Sequence, residues 1–239
     1  MRTVGWFAVG VLSLMACGDD GGGSGHDAGD DTPIDAHGSG DAGADARPDA
    51  APNAMGCTTF ATLNSTFTNT ICGPWGAASG SANVTNEMSA KLRIAPSGTM
   101  TSDGECTSSA MVTIPDGGFF IQVPTPIVSA AGYASLRLDG LDVAINSRDN
   151  KLRLTNATGS VTVAQVPFVT GAMLWWRLRP DRGTNEIVGE YSADANAWYE
   201  VGRVARTLTT ASTLLVTAGS ENPTASVGVA ELDNLNVCP

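Results

Sequence analysis

Side chains able to do chemistry are spread unevenly along this 239-residue chain. Both histidines, His26 and His37, fall in an Asp-rich N-terminal stretch, and none follows residue 37. Ser-His-Asp and Cys-His nucleophile systems need an imidazole base beside the nucleophile, so neither can be built from residues 57–239. Glycoside hydrolysis needs two carboxylates, one as acid and one as nucleophile or base. Glu186 and Glu190 share one face of a predicted strand, but four residues of strand hold their α-carbons about 13 Å apart. That is wide for a close retaining pair. The expectation for them is ion pairing with Arg153, Arg177 and Arg179 on a solvated sheet face. Asp194, in a predicted hairpin, is expected to bond its own backbone.

The cysteines divide into one and four. Cys17 ends a leader in which Met1-Arg2 supplies a positive start and Val4–Met15 an apolar run, too short to span a bilayer comfortably. The run closes on Leu14-Met15-Ala16-Cys17, which resembles the lipobox of bacterial lipoproteins. The resemblance implies cleavage before Cys17, a diacylglycerol on its sulfur and acylation of the new amine. Two or three acyl chains anchor stably where one does not. Gly18 stands where inner-membrane retention in enteric bacteria uses Asp, which points to the outer membrane. An exported chain with four further cysteines, Cys57, Cys72, Cys106 and Cys238, implies two disulfides in one of three pairings. Chain ends often lie close together, which favours Cys57–Cys238 with Cys72–Cys106. A zinc site would need CxxC spacing or histidine ligands, and residues 57–239 hold neither.

Composition then sets the domains. Cys17–Gly56 carries nine Asp and one Arg among Gly, Ala, Pro and Ser. Such a segment cannot offset its ordering entropy and is expected to be a disordered tether, extended by its own charge. Its Asp spacing lacks the pattern of an EF-hand loop. From Cys57 onward there are fifteen acids and eleven bases, so much of the net charge of -11 belongs to the tether. No large basic patch is evident, and nucleic acid is not expected as a partner. Residues 1–16 are thus read as signal peptide, 17–56 as tether and 57–239 as one folded domain, expected to be monomeric.

Within that domain the pattern is of strands. Short apolar or alternating runs recur about every ten residues between Gly, Asn, Asp, Pro and Ser. The runs lie at 82–87, 90–95, 108–114, 118–123, 132–139, 142–147, 150–155, 160–166, 172–179, 185–192, 197–203, 212–218 and 226–237. About a dozen strands in one domain imply an all-β, two-sheet antiparallel sandwich. The pleat sorts their faces. Ala134, Leu136 and Leu138 point in, opposite Tyr133, Ser135, Arg137 and Asp139. Leu152 and Leu154 point in, opposite Lys151 and Arg153. Leu174, Trp176 and Leu178 point in, opposite Trp175, Arg177 and Arg179. Ile187 and Tyr191 point in, opposite Glu186 and Glu190.

The run Ala172–Gly183, with its Trp-Trp-Arg core, then Glu186–Trp198, with Glu-Tyr-Ser-Ala-Asp before Trp198, resembles the concanavalin A-like lectin/glucanase superfamily. Asn196 stands where that pattern usually has Gly. The resemblance implies a jelly roll of the laminin G-like kind. It implies fold better than function, since this architecture hosts lectins, glycanases and passive modules. Glucanases of the fold carry Glu-x-Asp-x-Glu on one strand. The nearest match here is Glu231-Leu-Asp233-Asn-Leu235, whose third position is Leu, so the balance is against an enzyme. A face holding Tyr133, Arg137, Trp175 and Arg177 would offer aromatic surfaces beside bidentate donors, as sugar recognition requires. No cofactor is implied, although structural calcium is a family-type option with Asp139, Asp142 and Asp233 as candidate ligands. The reading is a lipid-anchored envelope lipoprotein whose non-catalytic, lectin-like domain binds a polysaccharide or another envelope component. The alternatives are a glycan-active hydrolase or lyase with an atypical carboxylate site, and a purely structural module.

Overall fold

The structure is a computed structural model that describes residues 56–68, 71–86, 90–97, 101–156, 161–221 and 227–239. The expected signal peptide, Cys17 and the expected tether up to residue 55 lie outside the described residues. The described chain forms fourteen strands and one 3-10 turn, Gly73–Trp75. The strands are β1 (Gly76–Gly80), β2 (Asn83–Asn86), β3 (Leu92–Ala95), β4 (Ser102–Ser108), β5 (Phe119–Thr125), β6 (Gly132–Leu138) and β7 (Val143–Arg148). They continue with β8 (Lys151–Asn156), β9 (Val161–Pro167), β10 (Trp175–Asp181), β11 (Glu186–Ser192), β12 (Tyr199–Ala205), β13 (Leu214–Ser220) and β14 (Ala230–Asp233). They make two seven-stranded sheets, the first ordered β1-β4-β13-β6-β7-β8-β9 and the second β12-β11-β10-β5-β14-β3-β2. All pairings within the sheets are antiparallel.

The expected all-β sandwich is therefore the fold, and most of the expected inward residues form its shared layer. Ala134, Leu136, Leu138, Ile145, Leu152, Leu154 and Val216 from the first sheet meet Leu92, Ile94, Phe119, Ile121, Trp176, Leu178, Ile187 and Leu232 from the second. Trp176 is wholly buried there, and its indole Nε1 donates to the Met173 carbonyl at 3.0 Å. A buried indole needs that partner, because an orphaned donor costs about 1–3 kcal/mol.

Hydropathy missed two strands. No strand fills 108–114; Val112 makes only an isolated bridge to Ser212. The strand lies earlier, at β4, whose inward residues are Ser102, Gly104, Cys106 and Ser108. The sheets close tightly there. A Cβ on Gly104 would sit 2.7 Å from Val84 and 2.9 Å from Ile94, so large apolar side chains are excluded and the usual alternation cannot appear. β1, a mostly exposed edge of sequence GAASG, is invisible for the same lack of large residues. At the other end, the predicted 226–237 strand shrinks to β14.

Both disulfides form in the favoured pairing, Cys57–Cys238 and Cys72–Cys106. The first joins the two ends of the domain. The second fixes β4 to the start of the 3-10 turn, and both of its cysteines are fully buried. The cross-link closes a chain segment with a sequence separation of 34 residues, which corresponds to about 2–4 kcal/mol of stabilisation. Replacing Cys72 and Cys106 together by Ala is expected to lower the unfolding free energy by about that amount. Urea titration under non-reducing conditions measures it; an unchanged midpoint would contradict the assignment.

Candidate functional site

With one side of each sheet committed to the core, a site must be sought on the two outer faces. Those faces differ sharply. On the second sheet, Trp175, Arg177 and Arg179 project outward from β10, as their parity requires, yet all three are buried. Arg177 has no exposed surface at all. The Ala193–Trp198 loop folds over it, so that the guanidinium carbon lies 4.0 Å from the centre of the Trp198 ring. Phe120, Trp175, Ala195 and Trp198 form a small second core, bordered by Leu174 and by the terminal cysteines 57 and 238. Leu174 thus packs outside the sandwich rather than in its main layer.

Burial forces the charges in this cluster to pair. Glu190 faces Arg177 across the strand and receives its Nε at 2.6 Å; Arg179 reaches the same carboxylate at 3.2 Å. Burial lowers the Arg177 pKa, while the Glu190 charge and hydrogen bond oppose the shift. Arg153 and Glu186 take no part. Arg153 lies on the first sheet and pairs with Asp149, and Glu186 approaches Arg203 at 3.7 Å. The loop above is built as expected at Asp194, whose Oδ1 accepts from the Asn196 and Ala197 amides. Those two bonds hold the Asp194 pKa below the ordinary value. The left-handed residue of the turn is Ala195, with φ 60°, rather than Asn196. The Trp198 Nε1 donates to the Ala195 carbonyl at 3.0 Å, so the indole itself closes the loop. Asn236 ties down the C-terminal segment by exchanging bonds of 2.8 Å with the Phe120 backbone and donating to Leu63.

The outer face of the first sheet is open. Register carries one polar row across all seven strands: Ser79, Glu105, Thr217, Ser135, Asn146, Arg153 and Gln165. At about 4.8 Å per strand the row is about 29 Å long. In its middle lies a shallow depression of about 120 Å³ lined by Tyr133, Ser135, Arg137, Ala144, Asn146, Arg148, Thr217 and Glu221. Ser135, Ala144, Asn146 and Thr217 are buried and make the floor. Tyr133, Arg137, Arg148 and Glu221 make the walls. Arg148 bonds Glu221 at 2.7 Å, and Arg137 pairs with Asp139.

Tyr133 owes its position to a glycine on the next strand. The ring lies across Gly219, where a Cβ would come within 2.7–2.9 Å of the phenol oxygen and two ring carbons. Burial pushes the Tyr133 pKa up; a hydrogen bond with Thr217 opposes the shift, and the charges of Asp103, Glu221 and Glu105 add to it. The phenol is therefore kept neutral as a hydrogen-bonding group.

The four expected site residues do not share a face. Tyr133 and Arg137 line the depression, whereas Trp175 and Arg177 lie on the far side of the sandwich under the Trp198 loop. Pleat parity separates in from out along a strand, but it does not say to which sheet the strand belongs. Asn146, Arg148, Thr217 and Glu221 were missed. Asn146 and Arg148 were legible as the polar alternate positions of the run 142–147 and its exit.

The nearest match to the glucanase triplet, Glu231-Leu-Asp233-Asn-Leu235, lies on and just after β14. Glu231 is engaged by Lys91 at 3.3 Å and Thr125 at 3.1 Å, and Leu235 is fully buried. Asp233 accepts from the Asn234 amide at 2.7 Å, and burial raises its pKa. Among the described residues no group of three or more His, Cys, Asp or Glu side chains could hold a metal. Asp139 is engaged by Arg137, while Asp233 sits on the other sheet, so these expected ligands do not converge.

Among solved structures, the legume lectin-like domain from Entamoeba histolytica superposes with a TM-score of 0.51 at 10% identity, over 75% of this chain and 97% of that one. The Ca2+/Man-bound form of the VIP36 exoplasmic/lumenal domain superposes with a TM-score of 0.52 at 10% identity, over 74% of this chain and 90% of that one. Its Ca2+/Man3GlcNAc-bound form gives 0.52 at 11% identity, over 74% and 88%. No family model matches the chain, and no curated protein sequence does. The likeness is one of fold: this is a concanavalin A-like, legume-lectin-like sandwich. Calcium is compatible with that architecture, since the VIP36 forms carry it.

The buried ion pair makes a direct prediction. Glu190→Gln is expected to destabilise the fold by about 3–5 kcal/mol, because it leaves Arg177 without its counter-charge. Replacing Arg177 and Glu190 together by Met is expected to cost less than the sum of the single changes. A double-mutant cycle in urea measures the difference, and strictly additive losses would refute the coupling.

Proposed function

We propose that the domain binds carbohydrate, without catalysing a reaction on it, through the outer face of the first sheet. The observation that carries this reading is the depression itself: a phenol ring standing over a floor of small hydroxyl and amide groups, with guanidinium donors at its rim. Hexopyranoses present both apolar C–H faces and in-plane hydroxyls. An aromatic wall takes the former, and Ser135, Asn146 and Thr217 can exchange hydrogen bonds with the latter. The polar row continues past the depression on both sides, as a polymer longer than one sugar would require. The fold supports the reading, because sugar-bound VIP36 domains share it.

The same proposal places the domain at the bacterial envelope, cut before Cys17 and held by acyl chains on that residue. A charged tether would carry the sheet face clear of the outer membrane. A single chain suffices for this arrangement.

Glycan-array and polysaccharide pull-down experiments with the full chain in detergent test the site. Tyr133→Ala is expected to weaken binding at least tenfold, equivalent to about 1.4 kcal/mol, with the thermal midpoint little changed. Gly219→Ala is expected to weaken it as well, by displacing the ring. Trp175→Ala belongs to the sealed cluster, and its expected effect is a stability loss of about 3–5 kcal/mol rather than a loss of contact. Glycan binding that survives Tyr133→Ala unchanged would overturn this site, and no binding at all would leave the domain a structural or protein-binding module. Metabolic labelling with a fatty acid, compared with a Cys17→Ala chain, tests the anchor; label retained in the variant would refute it.

A further inference from the structure

Charges on the outer face of the first sheet are sorted by strand. Asp103 and Glu105 lie on β4, and Glu221 follows β13 beside them. The cations lie on the other half: Arg137 on β6, Arg148 on β7, and Lys151 and Arg153 on β8. Register places Lys151 opposite Arg148 and Arg153 opposite Asn146, so Arg148, Lys151 and Arg153 border the floor of the depression from one side. Continuing the β6–β7 register sets Tyr133 beside Arg148. The aromatic wall and the cationic row are therefore adjacent.

The existing counter-ions do not close that row. Arg148 pairs with Glu221, Arg153 with Asp149 at 2.6 Å, and Arg137 with Asp139. In each pair the carboxylate is the more exposed partner, and the arginine Nε is buried against the sheet. The guanidiniums are thus fixed by packing, while their acidic partners stand toward solvent. Exposed pairs of this kind hold together by only about 0–1 kcal/mol. A ligand anion can take the place of such a carboxylate at little cost, and a guanidinium binds a planar carboxylate or a sulfate oxygen pair bidentately.

We propose that the ligand of this face is an acidic polysaccharide, whose anionic substituent sits over Arg148, Lys151 and Arg153 while its sugar ring packs on Tyr133. This rests on the carbohydrate-binding reading of the same face and adds the ligand's charge class to it. Bulk electrostatics would act against such binding, since the whole chain carries -11. Attraction of a polyanion therefore needs a local cationic surface.

Matched polymers distinguish the two levels. The full chain is titrated with polygalacturonate and its fully methyl-esterified form, and with sulfated and unsulfated dextran. Each titration is repeated at several salt concentrations. Affinity at least tenfold higher for a charged member than for its neutral counterpart is expected, falling as salt rises. Preference for the uronate pair identifies a carboxylate as the substituent, and preference for the dextran pair a sulfate. Lys151→Met with Arg153→Met is expected to remove the preference, and Lys151→Arg with Arg153→Lys to keep most of it; thermal melts confirm that both variants fold. Equal, Tyr133-dependent binding of charged and neutral members would overturn the acidic ligand and leave the glycan reading standing. No binding of any polymer, with array binding likewise lacking, would overturn both.

Discussion

The apolar layer between the sheets is the constraint from which the remaining features follow. Each strand crossing it is locked in parity, because a slip by one residue would turn every core side chain toward water. With Leu136, Leu154, Trp176 and Ile187 fixed inward, their immediate neighbours along each strand point outward; only where the register shifts, as between β11 and β12, does parity change, so that Val201 and Val204 both reach the core. The polar row from Ser79 to Gln165 is a consequence of that lock. Seven strands in register on their buried side are also in register on their outer side, so groups far apart in sequence line up as one track.

The two outer faces obey the same rule and meet different fates. On the second sheet the two ends of the sandwich domain return, joined by Cys57–Cys238, and the Trp198 loop folds down beside them. That converts outward positions into a second interior. Charges caught there must be matched, which is what Glu190 does for Arg177 and Arg179. On the first sheet the walls of the depression over β13, β6 and β7, Tyr133, Arg137, Arg148 and Glu221, keep water contact and can exchange it for a ligand. Sealing one face and leaving the other open gives the sandwich a direction, with its termini gathered on the side opposite the proposed binding surface.

Much of the fold was readable from periodicity. Alternation in β6, β8, β10 and β11 assigned their inward residues correctly, Leu174 just before β10 excepted, because large apolar and charged side chains take turns there. It failed at β4, where close sheet approach limits the inward positions to Gly, Ser and Cys, and at β1, an exposed edge without large side chains. The disulfide pairing was also within reach, since the two ends of a sandwich tend to meet. The candidate site was half legible. Tyr133 and Arg137 stand where the pleat put them, on an open face. Trp175 and Arg177 have the same outward parity but belong to the other sheet and are covered.

What the amino-acid sequence determined alone is therefore local and compositional. It specifies an all-β domain, strand parity, two disulfides, the lack of any histidine after residue 37, and an Asp-rich N-terminal stretch. What only the tertiary structure decided is which strands are neighbours and which outward positions remain exposed. Side-chain direction follows from the two-residue repeat of a strand. Sheet membership and coverage depend on pairings between residues as distant as Glu105 and Thr217, and on loops such as Ala193–Trp198, whose resting place no local pattern encodes.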